Sequence, residues 1–275
     1  MKMQRGEYYI ESNDGLSLFF RFWKPVGSDV CVCILHGWGT HSGLYNFLAQ
    51  YFAQSGISVT AIDLRGHGNS AGKASNIRHI TAFDLDVEAL LRESNKVFPQ
   101  SKKILMGHQL GALVALQYYL LHKKDIDALI LSAPLFKTAV KIPASWWLKI
   151  NLWARIFPFF SVDVSRYLGI NLSGLKGFEG NLPPLMHVKL VSELRQKGQK
   201  MITQGYKLNV PTLIIHGTDD NIALHKSSVV FSRNTGYYTT FKSWPGKNHY
   251  LTEIQDIEVL EYLLNWIKQN THLHR

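Results

Sequence analysis

Lys103-Ile104-Leu105-Met106-Gly107-His108-Gln109-Leu110-Gly111-Ala112-Leu113-Val114 is the stretch that decides the fold. Lys103 to Gly107 is a short apolar run of strand length, and Leu110 to Leu121 is an apolar run of helix length. So few residues separate them that the strand must turn directly into the helix. Glycines on either side of residue 109 let the backbone bend that tightly, and the helix aims its unpaired N–H groups at the bend. A Gly-x-x-x-Gly spacing says little alone; its position between an apolar strand and an apolar helix gives it meaning. Side chains that attack carbonyl carbons are presented on such turns, yet the residue at the centre of this one is Gln109.

Outward from this junction, strand-like and helix-like stretches alternate. Leu16 to Trp23 reads as an early strand hairpinned with Tyr8 to Glu11, and Val30 to Leu35 as a strand buried on both faces. A helix over Leu44 to Gln54, a strand over Val59 to Asp63 and an amphipathic helix over Phe83 to Val97 follow. Beyond the junction, strands are expected at Ala128 to Ser132, Thr212 to His216 and Tyr238 to Trp244, with a closing helix over Ile257 to Lys268. This rhythm predicts an α/β fold: a mostly parallel sheet with helices on both faces. Residues 136–204 break the pattern. They show no clear strand and carry Trp146, Trp147, Trp153, Phe157, Phe159 and Phe160, so they are expected to form a mainly helical cap inserted into a core of 1–135 and 205–275.

The chain has 275 residues, 46% of them hydrophobic and 18% charged, which suits a globular protein with a large core. Thirty Lys and Arg against 20 Asp and Glu give a formal charge of +10, a balance that favours anionic surfaces. The basic residues are scattered and no nucleic-acid motif accompanies them, so no nucleic acid is expected as a partner. The two cysteines, Cys31 and Cys33, fall two apart in one strand, where a bridge between them is geometrically unfavourable. They read as core residues in a reducing compartment. Met1 to Ser12 lacks the apolar segment of a signal peptide, and no apolar run is long enough to span a bilayer. A cytoplasmic location is the simplest expectation.

Three further segments carry chemistry. His36-Gly37-Trp38-Gly39 follows the buried strand, and a glycine-rich loop there can offer backbone N–H groups to an oxyanion. The expected donors are the N–H groups of Trp38 and Leu110; the alternative is an ordinary glycine turn. His216-Gly217-Thr218-Asp219-Asp220 places two acids in a loop after a strand, where either could orient a histidine or cap the next helix. Gly246-Lys247-Asn248-His249 supplies a histidine before the closing helix. That histidine is unremarkable singly and gains weight because turn, acid and base follow one another in a known order. No histidine shows metal-ligand spacing, and neither metal nor cofactor is expected. The literal Gly68-Asn69-Ser70-Ala71-Gly72 match to Gly-x-Ser-x-Gly leads into Lys73 to Arg78 and not into an apolar helix, so Ser70 is rejected as a nucleophile.

Together with Asp63-Leu64-Arg65-Gly66-His67-Gly68 and Ser132-Ala133-Pro134-Leu135, these segments resemble the monoacylglycerol lipase and lysophospholipase group of α/β-hydrolases, from about Leu16 to Ile267. The resemblance implies an α/β-hydrolase fold, an acyl-chain entrance in the cap near Trp146, Trp147 and Trp153, and a lipid-like ligand. It selects Asp220 as the acid and His249 as the base. The serine of the group's Gly-His-Ser-x-Gly falls on Gln109, and there the sequence departs.

Glutamine has neither an acidic proton nor a usable lone pair for attack, so it cannot form an acyl-enzyme. Three functions follow as expectations. In one, the chain is a lipid-ester hydrolase scaffold left with the ~10³–10⁴-fold catalysis that survives loss of a triad member. In the second, it is a pseudo-hydrolase that binds a hydrophobic ligand. In the third, Asp220 and His249 activate water directly. The aromatic cap and the charge together suggest peripheral contact with an anionic membrane through an apolar patch.

Overall fold

The computed structural model describes residues 3–123, 125–164 and 185–271. Its main sheet has eight strands: β1 (Gln4–Glu11), β2 (Ser17–Lys24), β3 (Val30–Leu35), β4 (Ser58–Ile62), β5 (Lys102–His108), β6 (Ala128–Ser132), β9 (Thr212–Gly217) and β10 (Thr239–Trp244). Their order is β1-β2-β4-β3-β5-β6-β9-β10. β1, β2 and β4 pair antiparallel, and every pairing from β4 to β10 is parallel.

The parallel strands are buried on both faces, and the side chains sort by parity. Cys31, Cys33 and Leu35 of β3 pack on one side with α2 (Ala82–Val97) and α3 (Leu110–His122). Val30, Val32 and Ile34 pack on the other with α1 (Asn46–Gln54) and α7 (Ile257–Thr271). The cysteine sulfurs lie 4.0 Å apart, unbridged and buried. The expected elements are present with ends moved by a residue or a few, and α6 (His225–Arg233) is an addition the polar sequence His-Lys-Ser-Ser did not announce.

Among the described residues, the connection from β6 to β9 adds no strand to the main sheet. It carries α4 (Ala144–Ile156), α5 (Val188–Ile202) and, against the expectation of no strand, the two-stranded pair β7 (Ser161–Asp163) and β8 (Leu185–His187). Residues 165–184 of the expected cap lie outside the described residues. Among those described, no helix is long and apolar enough to cross a membrane.

The chain runs from β3 outward to β4 and then crosses back past β3 to β5, so the strand order reverses between β3 and β5. Crevices at such reversals, beyond the carboxyl ends of the strands, are where α/β sheets bind ligands. Leu35 and Gly107 are register partners at this edge. The loop after β3 and the turn after β5 therefore emerge side by side.

Two glycines make the turn possible. A Cβ on Gly107 would come within 2.3 Å of the Gly111 backbone, and one on Gly111 within 2.2 Å of the Leu35 carbonyl oxygen. The helix start thus rests directly on the end of β3. The loops beside it are pinned by His36, whose Nδ1–H donates to Gly37 O (2.7 Å) while its Nε2 accepts from Leu64 N (2.8 Å). This pairing needs a neutral ring. Burial, aided by neighbouring His67, lowers the His36 pKa to about 3. Burial likewise lowers that of His67, which packs edge-on against Trp38, to about 4.

Two outcomes follow. Gly111→Ala, which helix propensity alone would make favourable, should instead destabilise the fold by about 1–3 kcal/mol in denaturant titration, because backbone oxygen cannot yield. The unfolded chain protonates its histidines near pH 6.5, whereas the native His36 and His67 stay neutral until about 3 and 4. The contribution of these two histidines to stability should therefore fall as pH drops below about 6.5. His67→Gln should show a smaller loss of unfolding midpoint between pH 7 and pH 5 than the parent chain.

Candidate active site

Gln109 occupies the turn with φ +51° and ψ −108°, a conformation that costs a non-glycine residue energy and persists only where the surroundings enforce it. Its N–H donates to Ser132 O (3.0 Å), and its carbonyl accepts from Leu113 N (3.3 Å) and Leu135 N (3.2 Å). The residue is 2% exposed.

Its side chain settles the chemistry of the turn. Oε1 accepts from Trp38 N at 2.7 Å and lies 3.5 Å from Leu110 N. These are the two backbone N–H groups that the sequence nominates as oxyanion donors. Because both neighbours are donors, the amide oxygen and not its nitrogen must face them. The first contact is a good hydrogen bond and the second is at the limit of one. The point where these two N–H groups converge is occupied by the carboxamide oxygen of the chain itself.

Asp220 and His249 meet as expected. Asp220 Oδ2 faces His249 Nδ1 at 2.6 Å, and Asp220 Oδ1 accepts from the N–H groups of Ile222 and Ala223, both at 2.8 Å. Asp219 is exposed and pairs with Thr218, so Asp220 alone faces the histidine. Burial opposes ionisation of Asp220, but hydrogen bonds from His216 and His249 outweigh it and hold the carboxyl well below the usual range. An ionised acid on Nδ1 leaves the lone pair of a neutral His249 on Nε2, the arrangement of a general base. The His249 ring stacks against that of His108, the residue preceding Gln109, with centroids 4.6 Å apart.

Three participants were not singled out from the sequence. His216 Nε2 is a second partner of Asp220 Oδ2 at 2.9 Å, and its Nδ1 meets Ser228 Oγ at 2.8 Å. His108 is buried beneath His249, and burial, with His249 beside it, pushes its pKa well down and keeps it neutral. Glu253 is buried beyond it and accepts from Tyr45 Oη at 2.6 Å. Burial raises the Glu253 pKa. His216 stands four residues before Asp220 in a quoted motif, so it was within reach of the sequence; the other two carry no spacing signal. Ser70 is committed elsewhere: its hydroxyl donates to Asp63 O at 2.5 Å and accepts from Phe19 N at 2.8 Å.

The aromatic residues separate into two groups. Trp146 and Trp147 line a cavity of about 330 Å³ between α4, α5 and residues 135–138. This cavity does not reach Gln109 itself; Leu135, bonded to the Gln109 carbonyl, is its link to the turn. Trp153 is not in the cavity wall. It is 39% exposed and packs edge-on against Phe160. Leu148, Leu152 and Ile156, four residues apart on α4, form an exposed apolar stripe that continues into Phe157, Phe159 and Phe160. Among the described residues, no group of three metal-ligating side chains converges.

With this geometry in view, comparison with known proteins is informative. The family model described as serine aminopeptidase, S33, matches residues 28–255. A monoacylglycerol lipase of Mycolicibacterium smegmatis is 25% identical, covering 96% of this chain and 97% of its own. An uncharacterised abhydrolase domain-containing protein of Dictyostelium discoideum is 28% identical over 94% of this chain, which spans only 28% of that longer protein. A soluble variant of the Saccharomyces cerevisiae monoglyceride lipase, solved with a substrate analog, superposes with a TM-score of 0.76 at 23% identity, over 95% of this chain and 93% of that one. The chain belongs to the Hydrolase_4 family (serine aminopeptidase, S33) and is an α/β-hydrolase of the monoacylglycerol lipase group.

Proposed function

We propose that this chain is a lipid-ester hydrolase scaffold that no longer performs serine-type hydrolysis and serves instead to bind a hydrophobic, lipid-like ligand. One observation carries the reading: the Gln109 carboxamide oxygen lies against the N–H groups of Trp38 and Leu110. A serine acylated on its oxygen has the atom sequence Cβ–Oγ–C(=O)–X. Glutamine has Cβ–Cγ–Cδ(=O)–Nε2. Its side chain is thus an isostere of the acyl-enzyme, with a carbon in place of the oxygen that would have to leave. A C–C bond does not break under a His–Asp base, so the mimic is permanent.

The same observation weighs against direct water activation. Asp220 and His249 retain a base, but the donors needed to stabilise the developing oxyanion are engaged by Gln109, and such donors supply much of the rate in carbonyl chemistry. In this reading, residues 136–204 act as the cap and the ligand occupies the cavity lined by Trp146 and Trp147, with Trp153 belonging to the outer face. The exposed stripe from Leu148 to Phe160, with Arg78 stacked over Phe159 at 4.3 Å and exposed Lys149 and Arg155 nearby in sequence, supports peripheral contact with an anionic membrane. The two free buried cysteines suit a cytoplasmic setting.

A fluorophosphonate probe should leave the chain unlabelled, while Gln109→Ser gains labelling and raises p-nitrophenyl ester turnover by roughly 10²-fold or more. Strong labelling of the unaltered chain would overturn the reading. Phe157→Ser combined with Phe159→Ser should reduce co-sedimentation with phosphatidylglycerol vesicles; equal sedimentation removes the membrane contact.

A further inference from the structure

We propose that the cavity between α4 and α5 takes a single-chain anionic amphiphile, with its head group at Arg195 and Lys137 and its tail against Trp146, Met186 and Leu194. This rests on the ligand-binding reading above and names the ligand's class. The wall of the cavity is mainly apolar, and its two charged residues are both cations; no Asp or Glu joins them among the described residues. A volume of about 330 Å³ is at the small end for ligand sites and suits one chain, not two.

The electrostatics identify the head group. Arg195 stacks over the Trp147 ring with its guanidinium carbon 4.4 Å from the centroid. No carboxylate among the described residues pairs with it, whereas Arg21 and Arg65 are each bound to acids. The contact holds the guanidinium at the cavity wall, and a guanidinium offers paired N–H groups that suit two oxygens of one anion. The stacked Arg195–Trp147 pair is half-buried at the cavity wall, where a charge is less screened than on open surface. An ester bound head-first at the turn would need the anion pocket that Gln109 fills. An acid held at Arg195 needs nothing from that pocket. A carboxylate and a phosphate monoester share the required chemistry.

Titration calorimetry with decanoate, decyl phosphate and decanol, on the parent chain and on Arg195→Gln, tests this. Both anions should bind about two- to fivefold more tightly than decanol, the difference expected of one partly exposed ion pair. Arg195→Gln should bring both anions most of the way to the decanol level, and decanol binding that persists in the variant shows the cavity intact. Shortening decanoate to nonanoate should cost about fourfold, the worth of one buried methylene. Tighter binding of decyl phosphate names a phosphate head, and tighter binding of decanoate names a carboxylate. Equal binding of decanol and the anions overturns the head-group assignment while the hydrophobic-ligand reading stands. Failure of all three to bind overturns both.

Discussion

The start of α3 lies on the carbonyls that end β3, with Gly111 so close to Leu35 O that no side chain fits between them. Every other feature of the site depends on this approach. It brings the turn at Gln109 against the loop at Trp38, so that one backbone N–H from each converges on a single point. A helix set back by the width of a methyl group would separate the two donors and leave no anion pocket. Gly107 serves the same contact from below, by letting the strand pass under the helix it feeds. The strained φ of Gln109 is the local cost of that geometry, and the three backbone hydrogen bonds that hold the residue oppose its relaxation.

The polar interior around the turn is built mostly from neutral histidines. His36 ties the loops after β3 and β4, His67 packs under Trp38, and His108 lies beneath His249. Burial keeps each of these three uncharged, so their rings can pack in the interior without mutual repulsion. The one anion in direct contact with the base, Asp220, is stabilised from both sides by His216 and His249 and by two backbone N–H groups. The Asp220–His249 pair is therefore held in one fixed orientation.

What the sequence made legible follows from burial on both faces. β3, β5 and α3 are apolar runs with no other place to go, and the motifs attached to their ends are placed by topology. Gln109, Trp38, Leu110, Asp220 and His249 were legible for that reason. β7 and β8 are three residues each, too short for a period-two pattern to register. α6 begins His-Lys-Ser-Ser and offers no apolar stripe. The aromatic cap was read as one group, yet the helical period already separates Trp147, Ile150 and Ala154 from Leu148, Leu152 and Ile156. Applying that period would have directed Trp146 and Trp147 inward and Leu148, Leu152 and Ile156 outward. Where the Gln109 side chain points was beyond any sequence pattern, because it depends on torsions set by donors distant in the chain.

That side chain explains why glutamine, among the residues that cannot attack, is compatible with an intact site. Alanine would leave two converging N–H groups with only water to satisfy them, and a charged or bulkier residue would not fit a position where Gln109 is itself 2% exposed. Glutamine reaches back by the length of one acyl carbonyl and supplies the oxygen for which those donors were arranged. The turn and the loop are thereby tied together through one internal acceptor. The cavity lined by Trp146 and Trp147 meets the same turn through Leu135, whose N–H donates to the Gln109 carbonyl, so the position of its wall at that end is fixed by the turn.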